Sequence, residues 1–271
     1  MNAPLIVDSH CHLTYGTLHK EIEAVLGRAE EAGVRTMVTI STKLETFPDV
    51  LAVAEANENV WASVGTHPHH AAEEAGEVTA DRLVELADHP KVVAIGEAGL
   101  DYFYDRSPRE VQQDVFRRHI EASRRTGLPL VIHSREAEED TARILREETE
   151  KGAFPFLMHC FSSAPWLAKE AVKLGGYVSF SGILTFRKSE AVREAARLVP
   201  EERLLVETDA PFLAPEPHRG KPCEPAHTAV TLARLAEVRG VPVEEMARIT
   251  TDNFFRLFGK ARRPSGMRET V

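Results

Sequence analysis

Six side chains of types that bind divalent metal ions lie at or just beyond the ends of apolar runs in this 271-residue chain: His10, His12, Glu97, His133, His159 and Asp209. Imidazole and carboxylate groups suit Zn, Mn, Fe, Co and Ni, and also Mg where water and substrate oxygens complete the shell. Four histidines and two carboxylates exceed what one catalytic ion takes from a protein when one position stays open for water. The set therefore favours two divalent ions that share a bridging carboxylate.

The segment HCH at residues 10–12 shows how one strand can supply two ligands. Successive side chains of extended backbone point to opposite sides, so His10 and His12 share one side and Cys11 points to the other. The same alternation turns Cys160 away from His159. We therefore predict that both cysteines pack in the core and do not bind metal.

Eight short apolar runs are candidates for the strands that position these residues, and amphipathic helical patterns separate them: 5–10, 35–41, 60–67, 92–97, 130–134, 156–160, 177–181 and 204–209. Near-continuous apolar runs are typical of parallel strands covered on both faces. Eight such strands predict an α/β protein with a single (β/α)8 TIM barrel over residues 1–259, which gathers all strand C-termini at one mouth. The rival is an open doubly wound sheet, which normally carries a Gly-rich phosphate loop, and the sequence contains no such loop.

The clearest helical pattern covers residues 107–127. Ser107 is predicted as the N-cap, Pro108 as the first helical residue and Glu110 as the partner that completes a capping box. Gly127 is predicted to end the helix in a left-handed conformation. At the end of the chain, residues 260–271 are expected to form a flexible tail.

Composition limits the environment and the partners of the protein. The formal net charge of −9 argues against a broad surface for duplex nucleic acid, but it does not exclude a polyanionic substrate in a cleft where bound cations supply positive charge. Three cysteines are too few for a disulfide framework, which favours the cytoplasm. No apolar run is long enough to span a membrane. We expect a monomer without an obligate protein partner.

The motifs DSHCHL, GTHPH, IGEAGLDYF, VIHSR, MHCFS and LLVETDAPFLAP, in this order over residues 5–259, resemble those of the TatD family of metal-dependent deoxyribonucleases. The resemblance implies that His10 and His12 bind one ion and that His133 and His159 bind the other. It further implies that Glu97 bridges the two ions, which would be Mg, Mn or Zn, and that Asp209 completes the first site beside the nucleophilic water. The implied activity is 3′-to-5′ exonucleolytic hydrolysis of single-stranded or frayed DNA, with RNA as a further substrate.

Other positions are candidate substrate contacts. His67 and His69 follow the third strand and could donate to a phosphate, and Arg219 is kept in a loop where Pro222 and Cys223 depart from the family pattern. Arg135 either contacts a phosphate oxygen or pairs with the acidic segment EAEED just downstream. Tyr102 and Phe103 either stack on a base or pack against the protein.

Two other functions compete with the nuclease. The same ligand set also suits an esterase or deacylase that acts on an aminoacyl-tRNA or a lactone, because an activated hydroxide attacks carbonyl carbon as readily as phosphorus. The sequence leaves this choice open. A non-catalytic binding protein on a barrel frame is disfavoured because all six candidate ligands are present.

Overall fold

The computed structural model describes residues 5–264, which form one eight-stranded parallel sheet in the order β1 to β8. The strands are β1 Ile6–Cys11, β2 Val34–Thr39, β3 Val60–Val64, β4 Val92–Asp101, β5 Leu130–Arg135, β6 Phe156–Met158, β7 Tyr177–Phe180 and β8 Leu204–Val206. Each strand pairs with its sequence neighbour in parallel. The predicted (β/α)8 barrel is confirmed, and every predicted strand is present.

Hydrogen bonds between the chain after β8 and β1 bring the two edges of the barrel together. The backbone N–H of Asp209 donates to the carbonyl of His10 at 2.9 Å, and that of His12 donates to the carbonyl of Ala210 at 2.7 Å. Cys11 and Ala210 form an isolated parallel bridge at this seam. Because the seam runs through the metal-ligand candidates themselves, closure of the barrel sets Asp209 beside His10 and His12.

Helices connect the strands and surround the barrel. They are α1 Gly16–Lys20, α2 Ile22–Glu31, α3 Phe47–Ala56, α4 Ala71–Glu74, α5 Ala80–Ala87, α6 Arg109–Thr126, α7 Glu138–Lys151, α8 Pro165–Lys173, α9 Glu190–Leu198, α10 Thr228–Arg239 and α11 Val243–Leu257. Among residues 5–264, none of the helices combines the length and apolar character needed to cross a bilayer.

Helix α6 begins differently from the prediction. Its N-cap position is Pro108, and no side chain caps it, so the predicted capping box is wrong. The hydroxyl of Ser107 instead donates to the carbonyl of His69 and accepts from the N–H of Ala72, which ties the loop after β3 to the start of α6. Gly127 ends the helix with φ +70°, as predicted.

The floor of the barrel is closed by α11. Every strand contributes to one interior cluster, which includes Val7, Val38, Trp61, Val93, Val131, Leu157, Tyr177 and Leu205. Phe254 and Phe258 of α11 belong to the same cluster and stack on each other with ring centroids 4.4 Å apart. Thr251 and Asn253 donate to the carbonyls of Leu5 and Leu204, at the N-terminal ends of β1 and β8. Within the barrel, a functional site can therefore lie only at the opposite end, where the carboxyl ends of the strands are.

The predicted tail begins with residues that contact this floor. The ammonium of Lys260 donates to the carbonyls of Ala87 and His89 at 2.9 and 2.8 Å, and Arg263 pairs with Asp252 at 2.7 Å. Residues 265–271 lie outside the described part of the chain.

Two glycines let neighbouring strands approach closely around β4. A Cβ at Gly65 would lie 2.5 Å from the Cα of Gly96, and a Cβ at Gly99, where φ is +143°, would overlap the carbonyl of His133. Only glycine fits these two positions, because a Cβ at either one would overlap neighbouring backbone. Strand β4 also continues four residues beyond the predicted run, so that Glu97 and Asp101 both lie on it.

Candidate metal centre

The six predicted ligands converge at the carboxyl end of the barrel. A cavity of about 680 Å³ opens there, and five of the six side chains line it: His12, Glu97, His133, His159 and Asp209. The sixth, His10, is fully buried directly beneath them. Residues separated by up to two hundred positions thus meet because parallel strands all end at the same mouth.

His10, His12 and Asp209 form the first group of donor atoms. The Nε2 atoms of His10 and His12 are 3.2 Å apart, and the Oδ1 atom of Asp209 lies 3.4 and 3.3 Å from them. Donor atoms about 2.0–2.1 Å from one tetrahedral ion lie about 3.3–3.4 Å from each other. The Nε2 atoms are the ones that converge, and among residues 5–264 the buried Nδ1 atoms of both histidines have no hydrogen-bond partner. This triangle fits one divalent ion.

The second group is centred on Glu97. Its Oε1 atom lies 2.8 Å from Nε2 of His159 and 3.0 Å from Nδ1 of His133, and these two nitrogens are 3.4 Å apart. Its Oε2 atom lies 3.5 Å from Nε2 of His10, in the first group. Glu97 therefore presents one oxygen to each group, which is the arrangement that a bridging carboxylate requires.

Two further carboxylates orient the histidines of the second group. Glu207 faces Nδ1 of His159 at 3.1 Å, and Asp101 faces Nε2 of His133 at 3.1 Å. Metal-binding histidines commonly hold their second nitrogen against a carboxylate, which fixes the ring and its tautomer. Sequence reasoning missed both residues. The sequence does contain a signal for them. Glu207 precedes Asp209 by two positions and Asp101 follows Glu97 by four, and side chains an even number of positions apart in extended backbone point to the same side.

Burial and neighbouring charges set the charge state of each donor group before a metal binds. Burial lowers the pKa of His10, which leaves its imidazole neutral and able to bind metal. Burial alone would raise the pKa of Glu97, but His159, His67 and His10 outweigh it and hold this pKa well below its usual range. Against the effect of burial, Glu97 and Glu207 raise the pKa of His159. A metal at His159 must therefore displace a proton.

The contact between Asp101 and His133 makes a prediction. An Asp101→Asn protein should bind one of its ions about 10- to 100-fold more weakly, because an amide supplies no negative charge to polarise the imidazole. Asp101 also faces Nε2 of His69 at 2.9 Å, so one substitution loosens two rings. Competitive titration with a chromophoric chelator measures the affinity.

An Asp140→Asn protein is the matched control, because Asp140 accepts a hydrogen bond from Tyr102 and ion-pairs with Arg143 outside the centre. It should keep both affinities. Unchanged affinities in the Asp101→Asn protein would contradict the orienting role.

Three of the four predicted substrate contacts line the cavity: His67, His69 and Arg135. Nε2 of His67 is 3.5 Å from Oε1 of Glu97. The guanidinium of Arg135 lies 4.1 Å above the ring of Phe103, and among the described residues no carboxylate comes within ion-pair distance of it. Pairing of Arg135 with the segment EAEED is therefore not observed.

The fourth, Arg219, lies outside the cavity lining. Its guanidinium stacks 3.9 Å above the ring of Phe186, and it donates to the carbonyl of Ala214 at 3.3 Å. Tyr102 packs against the protein, since Arg109 covers its ring and its hydroxyl donates to Asp140.

The two cysteines beside candidate ligands behave differently. Cys11 is fully buried, and its thiol faces the carbonyl of Val38. Cys160 has φ +44°, which ends the strand alternation after His159, and it lines the cavity. The prediction that Cys160 points away into the core is therefore wrong. Burial raises the pKa of its thiol, and the sulfur lies 3.2 Å from the hydroxyl of Ser181.

Comparison with protein families identifies the chain. The family described as TatD related DNase matches residues 7–259, which is nearly the whole described fold. The chain belongs to the TatD family. The expected family resemblance is confirmed, and the clustered His, Glu and Asp groups suit the metal dependence after which several TatD relatives are named.

Individual TatD relatives cover almost the same length. The metal-dependent hydrolase YcfH of Escherichia coli K12, named as uncharacterized, is 43% identical over 258 residues, which cover 93% of this chain and 95% of the relative. The 3′-5′ ssDNA/RNA exonuclease TatD of Enterobacter lignolyticus is 33% identical, over 94% of this chain and 99% of the relative. The crystal structure of YJJV, a TatD homologue from Escherichia coli, superposes with a TM-score of 0.86 at 32% identity and covers 94% of this chain and 98% of that one.

Proposed function

We propose that this member of the TatD family uses two divalent ions to hydrolyse phosphodiesters, removing nucleotides from the 3′ end of single-stranded or frayed DNA. The observation that carries the proposal is the position of Glu97, which presents one oxygen to each of two donor groups at the base of an open cavity. The relative from Enterobacter lignolyticus that is named as a 3′-5′ ssDNA/RNA exonuclease supports the same activity.

The residues of each donor group suggest how the ions are held. His10, His12 and Asp209 would bind the first ion, His133 and His159 the second, and Glu97 both. Divalent ions such as Mg, Mn or Zn, when bound, polarise a phosphoryl oxygen and bring the pKa of a coordinated water toward neutrality.

The side chains around the cavity would bind and orient the phosphodiester. Asp209 faces the cavity with its side chain 14% exposed, and as a carboxylate it can accept the proton of the attacking water. Burial lowers the pKa of His67 well below its usual range, so it would donate to a phosphate oxygen as a neutral imidazole. His69 would donate beside it. Arg135 is permanently charged and pairs with no carboxylate in the described part of the chain, so it would bind a non-bridging oxygen.

The dimensions of the mouth favour the end of a flexible strand. A volume of about 680 Å³ is in the range of small-ligand pockets, which accommodates a nucleotide but not a stacked duplex. An end must therefore fray, or the strand must be single, before the bond reaches Glu97. Single-stranded RNA fits the cavity in the same way, and we include it as a further substrate.

Arg219 is proposed to bind the strand beyond the cavity. It shares the loops after β7 and β8 with three other exposed cations, Arg187, Lys188 and Lys221, and these loops also supply Ile183, Phe212 and Leu213 to the cavity wall. In a chain of net charge −9, this local excess of cations would attract phosphates.

We propose that the protein acts as a monomer in the cytoplasm, where its three free thiols would stay reduced.

The test offers two classes of substrate to the same enzyme. Purified protein with Mn or Mg should shorten 5′-labelled single-stranded DNA from the 3′ end, should act slowly on a blunt duplex, and should lose activity when EDTA removes the metal. Inert DNA together with rapid, metal-dependent turnover of an aminoacyl ester or a lactone would replace the nuclease by the esterase or deacylase.

A further inference from the structure

Exposed aromatic rings border the mouth of the barrel. Phe103, Tyr104 and Phe212 are 50%, 49% and 50% exposed, and they make up half of the large hydrophobic side chains that are exposed among residues 5–264. Tyr104 and Phe212 line the cavity, and Phe103 lies under Arg135, which also lines it. Exposed apolar surface that gathers at one place marks a binding site.

The first aromatic group follows β4 and consists of Phe103 and Tyr104. The two rings meet edge to face with centroids 4.8 Å apart, and the guanidinium of Arg135 lies 4.1 and 4.8 Å above them. The ring of His69 also meets Tyr104 at 5.3 Å. These contacts hold the rings in place before any ligand arrives, so little side-chain freedom remains to be lost on binding.

The second aromatic group is Phe212, which follows β8, supported by Tyr15, which follows β1. The ring of Phe212 meets those of His12 and Tyr15 edge to face at 6.0 and 6.2 Å. Tyr15 in turn stacks on His12 at 4.8 Å, and its hydroxyl is hydrogen-bonded to Thr42 at 2.8 Å. Phe212 is therefore seated against one of the ligand candidates while half of its surface stays open.

The order of the strands puts the two groups on opposite sides of the mouth. In a closed ring of eight strands, the seam between β8 and β1 lies across from β4 and β5. The donor groups lie between these two sides, with His12 next to Phe212 and with Asp101 linking His69 and His133 beneath Tyr104. A phosphodiester held at Glu97 would thus have an aromatic group on each side.

We propose that the two groups bind the two bases that flank the scissile bond, an inference that rests on the proposed function. Phe103 and Tyr104 take the 3′-terminal base, which leaves with its nucleotide. Phe212 takes the penultimate base, because Phe212 belongs to the loop that continues to Arg219, where the retained strand meets the cations. Stacking on aromatic rings accepts any base, so this site selects for the presence of a base and not for sequence.

The experiment combines ring removal with base removal. Single-stranded DNA is prepared intact, with a tetrahydrofuran abasic unit at the 3′ terminus, or with that unit at the penultimate position. Phe103→Ala should raise KM for the intact strand about 5- to 150-fold and change it little for the strand without a terminal base. Phe212→Ala should likewise raise KM for the intact strand about 5- to 150-fold, and it should change KM little for the strand without a penultimate base. Trp166→Ala removes an exposed ring of α8 that does not line the cavity, and it should leave all three KM values unchanged.

Each remaining outcome decides the proposal. Equal losses on intact and abasic strands would overturn base stacking and assign the rings to packing. If the effect of Phe103→Ala depended on the penultimate base and that of Phe212→Ala on the terminal base, the assignment of the two sides would be overturned. If no DNA is cleaved, the proposed function fails, and fluorescence of strands with 2-aminopurine at either position decides the inference separately. Quenching by the wild-type protein that each alanine variant abolishes at its own position supports the base sites, and unquenched fluorescence overturns them.

Discussion

An Asp209→Asn protein is expected to lose about 10³-fold or more in kcat while it remains folded. The Oδ1 atom of Asp209 lies 3.3–3.4 Å from the Nε2 atoms of both histidines of the first donor group, so the substitution removes a charged ligand and the proposed proton acceptor together. Loss of a positioned base alone typically costs 10²–10⁴-fold. Asparagine suits the position because Asp209 has φ +61°, a left-handed conformation that asparagine tolerates better than alanine does.

The measurement is steady-state hydrolysis of single-stranded DNA together with metal content and circular dichroism. Asp252→Asn is the matched control, since Asp252 lies on α11 at the closed end of the barrel and pairs with Arg248 of the same helix and with Arg263 beyond it. The control should keep its activity within about twofold, because a surface ion pair contributes little. A fully active Asp209→Asn protein would show that Asp209 takes no part in the reaction.

A Glu97→Gln protein is expected to lose both bound ions, unlike the Asp209→Asn protein, which should lose only the first. Glu97 is 2% exposed, and its two oxygens face different donor groups, so both ions would depend on its charge. A neutral amide cannot bridge two cations, and its N–H₂ group opposes a cation on one side. We expect both affinities to fall by more than about 100-fold, above the range for an outer carboxylate such as Asp101.

Elemental analysis after equilibrium dialysis distinguishes the two variants. The expected contents are about two ions per chain for the wild type, about one for Asp209→Asn and less than one for Glu97→Gln. Glu150→Gln, an exposed carboxylate on α7, serves as the control and should keep both ions. A Glu97→Gln protein with full metal content and full activity would show that Glu97 bridges nothing.

The convergence of the six candidate ligands could be predicted from sequence because it depends on topology more than on detailed packing. Each candidate lies at or just past the end of an apolar run, and a parallel barrel brings such ends together whatever the loops do. The prediction needed only the number of strands and the positions of their ends. Errors of a few residues in strand length, as for β4, did not change which residues meet.

The partners of the ligands could not be predicted in the same way. The side chain of Asp101 contacts His133, and that of Glu207 contacts His159, because different strands and loops bring them together. Ser107 satisfies a loop instead of capping α6 because the carbonyl of His69 and the N–H of Ala72 come within reach in the folded chain. Choices among competing hydrogen bonds are made by distances that exist only after folding.

Local hydrophobic patterns and the order of motifs along the chain were enough to predict the barrel, the family and the residues available to bind metal. The folded structure was needed to show that Glu97 turns one oxygen to each donor group, that Arg219 lies outside the cavity, and that Phe212 packs against His12 and Tyr15. The physical reason is that side-chain direction at strand ends and loops depends on contacts between distant segments. No local pattern encodes those contacts.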